Sequence, residues 1–264
     1  MKIMKKLLLY LAKKNKFSII DLVEKFNINK GVLLHVGGNV GQELPVYQLL
    51  KFNKVIWVEG WPPFADELEE KIKGLDNHSL IRSMISDANT SVVNFSIASN
   101  KGSSTAFEVT NIWRNEFQNI SIDSFHKIKC ERLDDVLLKK NFDSQIDLMV
   151  LDIEGSELKA LISLGDYINR INFALIEVSF RENFVDGPLF VDIDKFMANH
   201  GFNRVYLKAG AISGDALYKK MNKLNILDHI YMWITGNAVQ LSSSLKITKV
   251  IVIVKNLVKR IINE

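Results

Sequence analysis

The sequence predicts an α/β fold: a Rossmann-like parallel sheet with helices on both faces and helical extensions at both ends. Three observations carry this. Short, wholly apolar runs such as Val55–Val58 and Leu148–Leu151 alternate with helix-length amphipathic stretches, the pattern of βαβ units with strands buried on both faces. The first run, Val32–Val36, passes into a glycine turn, Gly37-Gly38-x-x-Gly41, ahead of a helix. Acids then recur at the ends of successive runs, at Glu59, Asp87, Asp152 with Glu154, and Glu177.

In chain order, Met1–Asn15 reads as a short basic amphipathic helix and Ser18–Phe26 as a second helix, broken by Asn27–Gly31. Val32–Val36 is a strand, and the helix after it spans 42–50 with Pro45 tolerated in its first turn. Val55–Val58 is the next strand, Gly60-Trp61-Pro62-Pro63 a turn, and Phe64–Ile72 a helix. Leu80–Ile85 is a strand ending at the polar corner Ser86-Asp87. Shorter strand-like runs follow at Ser91–Ala98 and Thr105–Val109, around the loop Ser99–Ser104. Residues 111–126 carry no clear period, Ile128–Glu131 is strand-like, and Leu133–Lys139 is a helix. The strand Leu148–Ile153 passes through Gly155 into the helix Ser156–Leu164. Phe173–Val178 is a strand, and Val191–Asn199 a helix closed by Gly201. Arg204–Leu207 and Ile230–Ile234 are read as the closing strands. The organisation is a basic helical extension at 1–30, one domain at 31–240, and a basic apolar segment at 241–264.

Charge is unevenly placed. The net +4 is made of +6 from residues 1–16, +4 from residues 241–264 and −6 from the stretch between. An acidic core does not suit nucleic acid, which needs clustered Lys and Arg beside the site. The apolar run of the first helix is too short to span a bilayer, and no small-residue cleavage site follows it. The basic ends are read as docking onto the domain or as peripheral contacts with an anionic membrane. The lone Cys130 forms no internal disulfide, which fits a reducing, cytoplasmic setting. Its reading is that of a core residue rather than a nucleophile.

The glycine spacing departs from Gly-x-Gly-x-x-Gly, and no Gly-Lys-Ser/Thr follows, so dinucleotide and P-loop sites are disfavoured. Glu59 lies 22 residues after Gly37, near the spacing at which an acid receives ribose hydroxyls. A glycine turn with a ribose-binding acid at the end of the next strand suits S-adenosyl-L-methionine, which has no pyrophosphate. No His/Cys spacing suits zinc. Asp152 and Glu154 could contribute oxygens to a divalent cation but need further ligands, so no metal is assigned.

Several segments carry a family resemblance. His35-Val36-Gly37-Gly38-Asn39-Val40-Gly41-Gln42 resembles the Asp-Val-Gly-Ala-Asn-x-Gly-Gln motif of the FkbM-type S-adenosylmethionine-dependent methyltransferases. Val55–Glu59 is similar to their second strand. Ser86-Asp87 with the Asn100–Ser104 loop, Leu133-Asp134-Asp135, and Leu151–Glu157 with its Asp-x-Glu-Gly-x-Glu pattern resemble further motifs, over roughly residues 31–207. The resemblance implies a class I methyltransferase sheet and methyl transfer to a hydroxyl of a sugar, glycan or small molecule. It implies cofactor contacts at His35, Gly37, Gly38, Asn39, Gly41, Glu59, Gly60, Trp61, Ser86, Asp87, Ser104 and Asp152. The candidate general bases are Asp152 and Glu154, with Glu154 alternatively capping the following helix. His126 is a weaker candidate. His35 stands where the family has an acid, so a protonated imidazole would oppose the sulfonium and make cofactor affinity pH-dependent. A non-catalytic binding or interaction protein on the same scaffold is the alternative.

Overall fold

The computed structural model describes residues 19–89, 91–221, 232, 235 and 236. The basic helix expected at 1–15 and the segment 241–264 lie outside the described residues.

The helices are α1 (Ile19–Lys25), α2 (Leu44–Leu50), α3 (Pro62–Ile72), α4 (Asn111–Glu116), α5 (Leu133–Lys139), α6 (Glu157–Ser163) and α7 (Phe190–Asn199). The strands are β1 (Val32–Val36), β2 (Lys54–Glu59), β3 (His78–Arg82), β4 (Met84–Ile85), β5 (Val92–Ala98), β6 (Ile122–Glu131), β7 (Ile146–Leu151), β8 (Ile171–Ser179), β9 (Phe202–Ala209) and β10 (Ser213–Lys220). The main sheet runs β3-β2-β1-β7-β8-β10-β9. Its first five strands pair in parallel, while β10 is antiparallel to both β8 and β9. Chain order reverses between β1 and β7, and a crevice opens there at the carboxyl ends of the strands.

Both faces of the sheet are covered because both are apolar. Leu33, Val55, Trp57, Leu148, Val150 and Leu175 pack under α1, α2 and α3. Leu34, Val36, Val58, Met149, Leu151 and Ile176 pack under α5, α6 and α7. Helix α1 adds Ile20, Leu22 and Val23 to the first of these cores. Among the described residues, no helix is long and apolar enough to cross a membrane.

Three expectations are corrected. The run Leu80–Ile85 is not one strand. It breaks at Ser83, whose N–H donates to the Glu59 carbonyl, and its end leaves the main sheet for a second one, β4-β6-β5. Thr105–Val109 forms no strand, only single bridges from Thr105 to Ser96 and from Val109 to Phe184. The closing strand is Ser213–Lys220, not Ile230–Ile234, of which only Met232 is described, and it is helical. The stretch without a clear period resolves into α4 and the start of β6. There, exposed Asp123, Phe125, Lys127 and Lys129 alternate with inward residues, one face being open to water.

Candidate active site

Two loops meet at the reversal point of the sheet. The loop after β1 begins at Gly37, whose φ is +90°, and the N–H groups of Gly37 and Gly38 both donate to the Val58 carbonyl at 3.0 Å. A Cβ on Gly38 or Gly41 would come within 3 Å of Leu68 in α3, so these two glycines serve close packing of loop against helix. Asn39, also at positive φ, donates its N–H to Glu59 Oε2 at 2.7 Å, and Trp61 donates its N–H to Glu59 Oε1 at 2.7 Å. Glu59 is 7% exposed, and desolvation raises its pKa against those backbone donors.

The loop after β7 is held by Glu157 and Thr105, neither of which was a candidate site residue. Glu154 and Gly155 take φ of +49° and +99°. The Glu157 carboxylate receives the N–H groups of Ile153 and Gly155 at 3.0 Å, and the Thr105 hydroxyl donates to the Glu154 carbonyl at 2.6 Å. It is therefore Glu157, not Glu154, whose carboxylate binds backbone N–H groups here, and it ties down the loop ahead of the helix rather than capping the helix itself. Burial pushes Glu157 up to about 7.

Between the loops lies a cleft of about 570 Å³, counting its open mouth. Gly37, Asn39, Glu59, Gly60, Ser104, Asp152 and Glu154 line it, together with an apolar slot formed by Phe64, Met84, Ile85 and Phe95. Other expected site residues stand elsewhere. Trp61 packs against His126 with ring centroids 4.4 Å apart and planes tilted by 42°, beside the cleft rather than in its lining. The Ser86 hydroxyl turns to Asp87, and Asp87 is exposed past the end of β4. Cys130 is 1% exposed in β6, and burial raises its thiol.

His35 does not reach the cleft. Neighbouring side chains in a strand point to opposite faces, so with Val36 on the α5–α7 face His35 falls on the α1–α3 face. There it is 2% exposed, stacks on Trp57 at 5.0 Å and meets the Tyr47 hydroxyl at 3.0 Å through Nδ1. Burial lowers its pKa to about 3, so it is neutral at physiological pH and places no charge against a sulfonium. The pH-dependence expected from protonation of this residue is corrected accordingly.

One carboxylate oxygen each from Asp152, Glu154 and Glu177 lies within 4.8 Å of the others. Three such oxygens could join substrate oxygens around a divalent cation. Asp152 is reached by solvent from the cleft but walled in on its protein side. Desolvation, then the charge of Asp215, pushes it up to about 6. Glu154 and Glu177 are likewise raised, by desolvation and then by neighbouring carboxylates.

Residues 35–204 match the family described as the Methyltransferase FkbM domain. No curated protein matches the chain in sequence. Among solved structures, the chain is similar to a SAM-dependent methyltransferase from Aquifex aeolicus, with 12% identity and a TM-score of 0.43 over 78% of this chain and 90% of that one. It is similar to TrmK of M. capricolum in complex with S-adenosyl-homocysteine, with 10% identity and a TM-score of 0.43 over 94% and 96%. A third is an S-adenosylmethionine-dependent methyltransferase from Clostridium acetobutylicum, with 11% identity and a TM-score of 0.44 over 76% and 89%.

Proposed function

This chain belongs to the FkbM methyltransferase family, and from that we propose that it O-methylates a hydroxyl of a sugar, glycan or small molecule, with S-adenosyl-L-methionine as methyl donor. The observation that carries the reading is the buried Glu59 carboxylate at the end of β2. Each of its oxygens takes one backbone N–H, which leaves each with capacity for a ribose hydroxyl. The rest of the cleft fits the same group. The slot of Phe64, Met84, Ile85 and Phe95 suits a flat heterocycle, and the acids around Asp152 suit a cationic end.

The bound cofactor would supply an electrophilic methyl group on a positively charged sulfur. The chain's own part is to orient and to accept a proton. Glu59 and the Gly37–Asn39 turn would hold the donor in the cleft that Asp152 also lines. Asp152 would take the acceptor's hydroxyl proton as the oxygen–carbon bond forms and the sulfur–carbon bond breaks, with that bonding pair staying on sulfur. A carboxyl near pKa 6 is well matched to that task close to neutral pH. The acid-lined cleft also speaks against a nucleic-acid acceptor.

The first test is calorimetric titration of the full chain with S-adenosylhomocysteine beside Glu59→Ala. Saturable binding is expected, weakened by about tenfold or more in the variant on losing charge-assisted hydrogen bonds. No binding to the native chain would overturn the reading. Asp152→Asn should keep binding and lose turnover.

A further inference from the structure

The register of the sheet lines up four charges across four strands. Leu151 of β7 pairs with Ile176 of β8, so Asp152 and Glu177 come next, side by side. Glu177 faces Asp215 of β10, and Asp215 faces Lys208 of β9. Lys208 Nζ is 3.6 Å from Asp215, so the row's single cation is paired at its outer end. Strand alternation places Asp152 and Glu177 on the same face as Val150 and Leu175, the face carrying α1 and α2.

Over this row lies a second cavity, of about 1040 Å³ counting its open mouth. Its rim is the charged row, with Glu43 added from the start of α2. Its floor is apolar, with Ile19, Leu22, Val150 and Leu175 among its lining. Asp152 belongs to the walls of both cavities, so a molecule seated here would abut one in the cofactor cleft. The buried His35 also lines it. With its Nδ1 engaged by Tyr47, no described side chain bonds its Nε2.

We propose that this second cavity is the acceptor site, and that it takes a hydroxy compound with an apolar body and a protonated amine. The proposal rests on the methyl-transfer reading of the adjoining cleft. Its support is chemical complementarity. Four carboxylates against one paired ammonium repel an anionic acceptor and attract a cation. The apolar floor fits hydrocarbon or an aromatic ring rather than a fully hydroxylated sugar. When Tyr47 donates to Nδ1, the neutral His35 carries its hydrogen on Nε2 and can donate to the acceptor's oxygen.

The test uses three probes sharing one ring and one phenolic hydroxyl: tyramine, tyrosol and 4-hydroxyphenylacetate, which carry a positive, a neutral and a negative side chain. Each is titrated into the full chain saturated with S-adenosylhomocysteine. Tyramine should bind about tenfold more tightly than tyrosol, and 4-hydroxyphenylacetate more weakly than both. Asp215→Asn should erase the advantage of tyramine while keeping its melting transition and its affinity for S-adenosylhomocysteine. Equal binding of tyramine and tyrosol, tighter binding of the acid, or binding of none of the three would overturn the proposal while the cofactor reading stands. Failure of S-adenosylhomocysteine itself to bind would remove the cofactor reading and this proposal together.

Discussion

Gly37 lies so close to Asp152 that a Cβ placed on it would stand 1.9 Å from the Asp152 carbonyl oxygen. The two loops that define the cleft are thus in backbone contact, and the Asp152 N–H donates to the Val36 carbonyl just before Gly37. Gly37→Ala would require both a side chain at φ +90° and displacement of the β7 loop. Strain of about 1–3 kcal/mol and overpacking of similar size should combine. The expected result is a melting temperature lower by several degrees together with loss of S-adenosylhomocysteine binding. A native melting curve would refute the contact.

Asp152 as the proton acceptor gives a definite pH–rate profile. Its pKa of about 6 implies that kcat/KM falls tenfold per pH unit below that value as the carboxylate is protonated, and levels off above it. Asp152→Asn should remove most of the activity and leave whatever remains without the acid limb. A limb centred near the ordinary value for aspartate would show that a different group is being titrated.

The parallel half of the fold was legible because fully buried strands are apolar throughout, as in Val55–Val58 and Leu148–Leu151. The cleft was legible as far as backbone demands show in sequence: glycines at Gly37 and Gly41 where φ is positive, and an acid at a strand end. The antiparallel edge was not. Ser213–Lys220 reads as polar and includes Gly214, because its inner residues Ala216, Leu217 and Tyr218 are bounded by the charged rim. Asp215 and Lys208 therefore entered no sequence-based site, although pairing across strands places them in one row with Asp152 and Glu177. Face assignment was the other gap. The family motif aligned His35 with a cofactor-facing acid, but strand alternation turns its side chain to the α1–α3 face, against Trp57 and Tyr47.

The neutral state of His35 can be observed directly. In carbon-detected NMR of the histidine rings, one resonance, identified by its loss in His35→Gln, should keep a neutral chemical shift down to pH 5. This follows from burial lowering its pKa to about 3. A midpoint between pH 6 and 7 would place the ring in water and contradict its packing against Trp57 and Tyr47.

The crowded acids also set how stability varies with pH. Asp152 and Asp194 are pushed up to about 6 and Glu157 to about 7, in each case chiefly by desolvation. The unfolded chain returns them to ordinary values near 3.8 and 4.5. Between roughly pH 4.5 and 7 the folded state therefore holds more protons than the unfolded one, and stability falls as pH rises through that window. Buried His35, lowered to about 3, and half-buried His78 act in the opposite sense below about pH 6.5 but are outnumbered by the raised carboxyls, while Glu67 and Glu131, lowered by lysine partners, sit in solvent-exposed pairs that contribute little. The melting temperature without ligand should therefore be higher at pH 5 than at pH 8. Glu157→Gln should lower it at both values, since an amide replaces the double acceptor that holds Ile153 and Gly155, while making the slope between them shallower. A melting temperature that rises from pH 5 to pH 8 would mean that these carboxyls are ionised in the folded chain and satisfied by partners other than protons.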